Sequence, residues 1–184
     1  VSFVPMAQLG EDGRLHNGEA RPVGELTQGY TYFANGDVIV AKITPCLQNG
    51  KAALAEELTG GHAFGSTEFH VLRPGPQVLP EWVFFYVRLL SFRHQAKQNF
   101  TGTAGQQRVP EEYIRDLVVA LPTLPEQRVI AAFLDRETAR IDAQGPSSTA
   151  ASPTPTACPV DPPGSGMLNI MITNEKAAPS ASSG

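Results

Sequence analysis

The chain changes character at Gly145 and Pro146, and that change limits what can fold. From there to Gly184 the sequence is rich in Pro, Ser, Thr, Ala and Gly, broken only by the apolar run from Met167 to Ile172. A segment of this kind buries too little apolar surface to offset the entropy of ordering it. Residues 144–184 are therefore expected to be a disordered, low-complexity tail. Of the 184 residues, the rest is enough for one domain with an appended element.

Short apolar runs separated by turns come first. Val1-Ser2-Phe3-Val4-Pro5 reads as a short strand, since Val and Phe favour a pleated, half-buried surface, and residues 23–26 suggest a second short element. Asn35-Gly36-Asp37 is a strong turn signal, and the run Val38-Ile39-Val40-Ala41-Lys42-Ile43 after it reads as a buried strand with one charge. Residues 51–55 resume a strand. Residues 63–72 read as one strand entered through a Gly-Ser loop, with Phe69 and Val71 alternating against Glu68 and His70, as in a sheet with one polar face.

The spacing then becomes helical. Residues 80–100 predict one helix whose buried stripe is Trp82, Phe85, Tyr86, Leu89, Phe92 and Ala96. These aromatics read as core rather than as a stacking platform. Residues 111–115 suggest a short helix and 117–121 a strand. A second long helix is predicted from Pro125, which a first helical turn tolerates, to about residue 143. Ile130, Phe133, Leu134 and Ile141 lie on its broad apolar side, and that side needs its own domain or another chain to cover it.

The formal net charge is −4, so no global basic signature marks a nucleic-acid binder. An average can still hide a local patch. Between Trp82 and Pro110 there is no Asp or Glu, yet Arg88, Arg93, Lys97 and Arg108 all fall there. The stretch 99–110 that ends this interval is the most informative in the chain. Thr101, Gly102, Thr103, Ala104 and Gly105 are small enough for a close backbone approach. Gln106, Gln107 and Arg108 then offer amides and a guanidinium fork, which suit base edges and phosphates. The same stretch also reads as a Gly-rich turn between helices with solvated glutamines. Lys42 is similarly open: it either snorkels to water from its apolar strand or meets a carboxylate or a phosphate.

Catalytic chemistry is missing from the pattern. There is no phosphate-binding loop, no G-x-G-x-x-G after a strand and no G-x-S-x-G elbow. His16, His62, His70 and His94 lack metal-ligand spacing. Cys46 and Cys158 lie far apart and imply neither a disulfide framework nor a zinc site. Asp161-Pro162-Pro163-Gly164 echoes the D-P-P-Y motif of amino-methyltransferases without the aromatic residue that stacks on a flipped base. No apolar run is long enough to cross a bilayer. The domain reads as a binder without an active site of its own, and the cytoplasm is its expected location.

Several blocks, in order, resemble the specificity subunit of type I restriction–modification systems. They are Gly36 to Cys46 with Asn49-Gly50-Lys51, Gly65 to Leu72, Thr101 to Pro110, and Leu121-Pro122-Thr123-Leu124-Pro125-Glu126-Gln127 leading into the helix through Ile141. The last block is similar to the family's P-L-P-x-x-E-Q lead into its conserved helix. The resemblance implies an α+β fold with a small twisted mixed sheet and flanking helices. It divides the chain into a target recognition domain at 1–122, whose opening edge before Val1 is expected to be missing, the start of the conserved spacer helix at 123–143, and the tail. A full family member has two recognition domains and a longer spacer, so a truncated form is expected.

The resemblance further implies a non-catalytic subunit that reads one half of a bipartite double-stranded DNA target. It would place modification subunits, which methylate adenine at N6, and a restriction subunit, which translocates and cuts. No cofactor is expected in this chain; S-adenosylmethionine, ATP and Mg would sit on the partner subunits. A second copy of the chain is a further partner through the spacer helix. Lys42, Arg88, Arg93, Lys97, Thr101, Thr103, Gln106, Gln107 and Arg108 are the candidate DNA-binding residues, mainly on the backbone. Base reading is expected from loops at 16–21, 28–32 and 56–62. The alternative is an interaction module, or a non-functional fragment, that docks on the modification subunit without specific DNA binding.

Overall fold

The computed structural model describes residues 1–16, 19–26, 29–103, 107–144 and the backbone of 170–172. The fold is α+β. Among the described residues the strands are β1 (Ser2–Val4), β2 (Glu19–Ala20), β3 (Thr31–Ala34), β4 (Val38–Ala41), β5 (Ala52–Leu54), β6 (His62–Gly65), β7 (Phe69–Pro74) and β8 (Ile170–Ile172). Four α-helices are α1 (Pro80–Arg88), α2 (Leu90–Gln98), α3 (Glu111–Arg115) and α4 (Leu124–Gln144). The strands form two sheets instead of one. An outer sheet has the order β2-β1-β6-β3 and a central sheet the order β5-β4-β7-β8. β1 runs parallel to β6, and the other pairings are antiparallel.

The molecule has three layers, and strand parity assigns each residue to one of two cores. Ile39 and Ala41 of β4, Ala53 of β5 and Phe69 and Val71 of β7 meet Val4, Phe33 and Ala63 of the outer sheet. Val38, Val40, Ala52 and Leu72 point the other way, onto Trp82, Val83, Val87, Phe92, Ala96 and Ile114 of the helices. Because the central sheet is covered on both faces, every residue of β4 is buried. That explains why Val38 to Ala41 is continuously apolar while β1 and β3 alternate.

The Asn35-Gly36 turn joins the two sheets. Gly36 has φ +87°, a left-handed conformation that side chains disfavour. Asp37, almost wholly buried, accepts the Ala34 N–H at 2.8 Å and a two-point contact from Arg73 at 2.8 and 2.7 Å. The carboxylate thus ties the turn to the far end of β7.

Four expectations are corrected. Residues 63–72 are two strands in different sheets, because the chain turns at Ser66 to Glu68. A Cβ on Gly65 would lie 2.7 Å from the Val4 carbonyl oxygen, so the close β1–β6 approach needs bare backbone there. His70 is not on a polar face but 1% exposed on the helix side of the central sheet. The helix over 80–100 is interrupted at Leu89, whose ψ of 140° leaves the helical region. A straight helix would carry Leu90 to the position one heptad beyond Val83. The break instead leaves Leu89 and Leu90 exposed and turns Phe92 into the core beside Tyr86, with the ring centroids 5.8 Å apart. Residues 117–121 alternate, Val119 buried and Val118 73% exposed, but have no strand partner. Of the tail, only Ile170–Ile172 is described; it pairs antiparallel with Leu72 to Pro74. Among the described residues no helix is long and apolar enough to cross a membrane.

Candidate nucleic-acid interface

The registers gather one end of the two sheets. β2 starts at Glu19 opposite Phe3, β3 starts at Thr31 opposite Gly65, and β4 ends at Ala41 opposite Phe69. Lys42, the Ser66 to Glu68 turn and the loops leading into β2 and β3 therefore lie at the same end. The 99–110 stretch folds back onto it. Thr101 and Arg108 exchange both backbone hydrogen bonds, at 3.0 and 2.9 Å, and close a hairpin. The Thr44 N–H donates to the Gln107 carbonyl at 2.9 Å, and the Val109 N–H donates to the Lys42 carbonyl at 3.0 Å. The hairpin thus extends the central sheet past β4. Gln106 lies outside the described residues, as does Gln28.

Side chains reinforce the dock. Arg108 forks onto Glu68, with Nε 2.8 Å from Oε2 and a terminal nitrogen 2.7 Å from Oε1. This hydrogen bond holds the Glu68 carboxyl below the usual range. Lys42 donates from Nζ to the Thr67 carbonyl at 3.1 Å. Burial lowers its ammonium pKa, and neighbouring Glu68 opposes that shift. His70 Nε2 lies 2.9 Å from the Val109 carbonyl. Burial pushes its pKa down to about 4, so the ring is neutral at pH 7 and its Nε2–H donates.

The remaining cations divide. Arg88 donates to the Gly50 carbonyl at 3.4 Å and the Glu11 carbonyl at 3.1 Å, and its guanidinium lies 5.3 Å from the Phe84 ring centroid. Arg93 donates to the Gln48 carbonyl at 2.9 Å. Both brace the 44–50 loop that follows Lys42. Lys97, in the last turn of α2, is exposed, as are Thr101 and Thr103 on the hairpin.

The outer face of the outer sheet carries a feature that sequence reasoning missed. Phe3, Phe64 and Tyr32 stand opposite one another on β1, β6 and β3. Tyr30 meets Phe3 edge-on at 5.1 Å, and the Arg21 guanidinium lies 4.3 Å from the Phe3 centroid. The Tyr32 hydroxyl is hydrogen-bonded to His62 Nδ1 at 2.6 Å. Arg21, Tyr30, Tyr32 and His62 come from the three stretches singled out in sequence, whereas Phe3 and Phe64 do not. The alternation of Phe3 against Ser2 and Val4 was the available signal, but it needs the β1–β6 pairing to place Phe64 beside it. The 56–62 loop reaches β6 at the opposite end from the hairpin.

α4 packs on α1. Gln127 and Ala131 are its only buried residues. Ile130 is 38%, Phe133 52% and Ile141 66% exposed, while Leu134 is half-buried. A cleft of about 1100 Å³ separates much of α4 from α1 and from residues 11–15 and 54–57; Glu11, Asp12, Glu56, Glu57, Asp135 and Asp142 line it. Acidic residues outnumber Arg14, Arg88 and Arg128 in its lining, so it suits phosphate less well than the hairpin end does. Among the described residues no three His, Cys, Asp or Glu side chains are grouped to hold a metal ion.

Comparison with known proteins adds a family. The model of the type I restriction modification DNA specificity domain matches residues 10–146. The specificity subunits of the type I restriction enzymes EcoEI and EcoAI of Escherichia coli are 36% and 37% identical over 137 residues. That match covers 72% of this chain, and the chain spans only 23% of the length of either relative. Among solved structures, the HsdS subunit from Thermoanaerobacter tengcongensis superposes with a TM-score of 0.64 at 21% identity, over 78% of this chain and 37% of that one. A chain from a type I R-M system, described for its complex assembly and conformational transition, gives 0.57 at 18% identity over 78% and 32%. At these identities the structural likeness speaks to the fold.

Proposed function

The chain belongs to the type I restriction modification DNA specificity domain family, and on that premise we propose that it reads one half of a bipartite DNA target. It gives an address to N6-adenine methyltransferase and restriction subunits, which carry the S-adenosylmethionine, ATP and Mg chemistry in the cytoplasm. The observation that carries this reading is the 99–110 hairpin docked beside Lys42, at the end where the loops into β2 and β3 also open.

In this reading the two kinds of DNA contact separate. Lys42, Lys97, Thr101, Thr103, Gln107 and Arg108 face the phosphate backbone; Gln106, outside the described residues, is assigned to the same group from sequence alone. Arg88 and Arg93 act through the loop whose carbonyls they hold. Sequence reading falls to Arg21, Tyr30 and the 16–21 and 28–32 loops, which lead into β2 and β3 at the hairpin end; the 56–62 loop enters β6 at the opposite end. Titration of the chain into labelled duplexes at several salt concentrations tests this. Lys97→Ala should weaken all sequences alike and reduce the salt slope by about 1. Exchange of the 28–32 loop should change the preferred half-site. A Lys97→Ala variant that alters sequence preference would count against the division.

A second reading rests on the exposed Ile130, Phe133 and Ile141 of α4. Here the chain docks through this face on a modification subunit, or on a second copy, without specific DNA binding. Size-exclusion chromatography with the modification subunit, combined with a DNA shift assay, separates the two readings.

A further inference from the structure

The side chain of Gln127 is fully buried, and each of its polar atoms is used. Oε1 accepts the Leu79 N–H at 2.8 Å. Nε2 donates to the Gln77 carbonyl at 3.0 Å and to the Pro122 carbonyl at 2.8 Å. One amide therefore joins three pieces of backbone: the loop before α1, the N-cap residue of α1, and the approach to α4. The local sequence prepares this. Glu126 reaches back to the Thr123 N–H at 2.8 Å and hydroxyl at 2.7 Å, which fixes the first turn of α4 around its neighbour.

We propose that Gln127 is a positioning residue. By this triple bond set it fixes the angle at which α4 leaves the recognition body, and through that angle the separation of the two half-sites. The second part rests on the proposed DNA-reading function. Packing of α4 on α1 is a second support, but one with few buried side chains. Ala131, one turn on, is the only other buried residue of the helix, and a cleft lies under much of the remainder. Near the far end, Arg14 and Asp142 approach to 3.8 Å, but both are largely exposed, and such pairs hold a geometry weakly. Lever length makes the joint consequential. From Gln127 to Gln144 the helix extends about 25 Å at ~1.5 Å per residue. A tilt of about 10° would move its end by about 4 Å, more than the ~3.4 Å between successive base pairs.

The test places spin labels at Ser91→Cys on α2 and Ala143→Cys on α4 of the full chain, with Cys46 and Cys158 replaced by Ser. The distance distribution between them should be narrow. Gln127→Met, which keeps the length of the side chain and none of its hydrogen bonds, should broaden it or shift its centre by about 4 Å; Gln127→Ala should do the same. A merely structural glutamine would lower the melting temperature and leave the distance alone. An unchanged distance in a folded Gln127→Met chain overturns the proposal. In the assembly with modification subunits, methylation of targets whose half-sites are one base pair closer or farther should then lose its preference, from about tenfold to under threefold, with half-site affinity unchanged. Retention of the parent's spacing preference overturns the link to half-sites. If the parent chain binds no duplex, the DNA-reading function fails, while the distance measurement still decides the joint.

Discussion

The hairpin at 99–110 and the helix α4 are attached to the same body by opposite means. The hairpin is held along its backbone by the Lys42 carbonyl and the Thr44 N–H, and by His70 on the Val109 carbonyl and Glu68 on Arg108. The helix is held by one buried amide and by packing on α1 in which Ala131 is the only other buried side chain. A backbone-stitched element loses little when any one side chain changes. An element hung on one side chain can be re-aimed by a single substitution. The comparison teaches that a surface needing constant shape and a joint needing a defined angle are built differently.

Acid should strain the hairpin side most. His70 has its pKa depressed to about 4 in the folded chain against 6.5 when unfolded. Between those values the unfolded chain binds the extra proton, so stability is full above about pH 6.5 and falls as pH drops toward 4. The loss should approach about 3 kcal/mol across that window. Urea denaturation at stepped pH checks it, and His70→Gln should flatten this part of the profile. On the helix side, Gln127→Ala leaves the Leu79 N–H and two carbonyls without their partner. It should cost about 1–3 kcal/mol in the same assay. Arg14→Ala should cost no more than about 0.5 kcal/mol, because the Arg14–Asp142 pair is solvated on both sides. A larger effect would mean that the helix is held from its far end, and the contrast between the two attachments would collapse.

Much of this architecture could be read from residue types alone. Asn35-Gly36-Asp37 ahead of an unbroken apolar run located β4, and Pro125-Glu126 located the start of α4. The sequence could not say that the run was unbroken because two layers cover it. Nor could it separate β6 from β7: that division depends on Gly65 meeting the Val4 carbonyl across a pairing between distant strands. The break at Leu89 was hidden because Leu89 and Leu90 are good helix formers, and only the demand of Phe92 for the core reveals it. For the candidate site, the 99–110 stretch was visible through its small and amide residues, whereas the ties of Arg88, Arg93 and Arg108 to Gly50, Gln48 and Glu68 required the third dimension. Gln127 was visible as part of a motif, but its work is done on residues some fifty positions earlier.

The doubly covered central layer has an evolutionary consequence. Val38 and Val40 face one core and Ile39 and Ala41 the other, so drift anywhere along the strand is penalised. Phe3, Tyr30, Tyr32 and His62, one sheet away, have solvent on one side and can be exchanged with little disturbance to the interior. Substitutions can therefore accumulate on the outer surface while the frame that presents it stays the same.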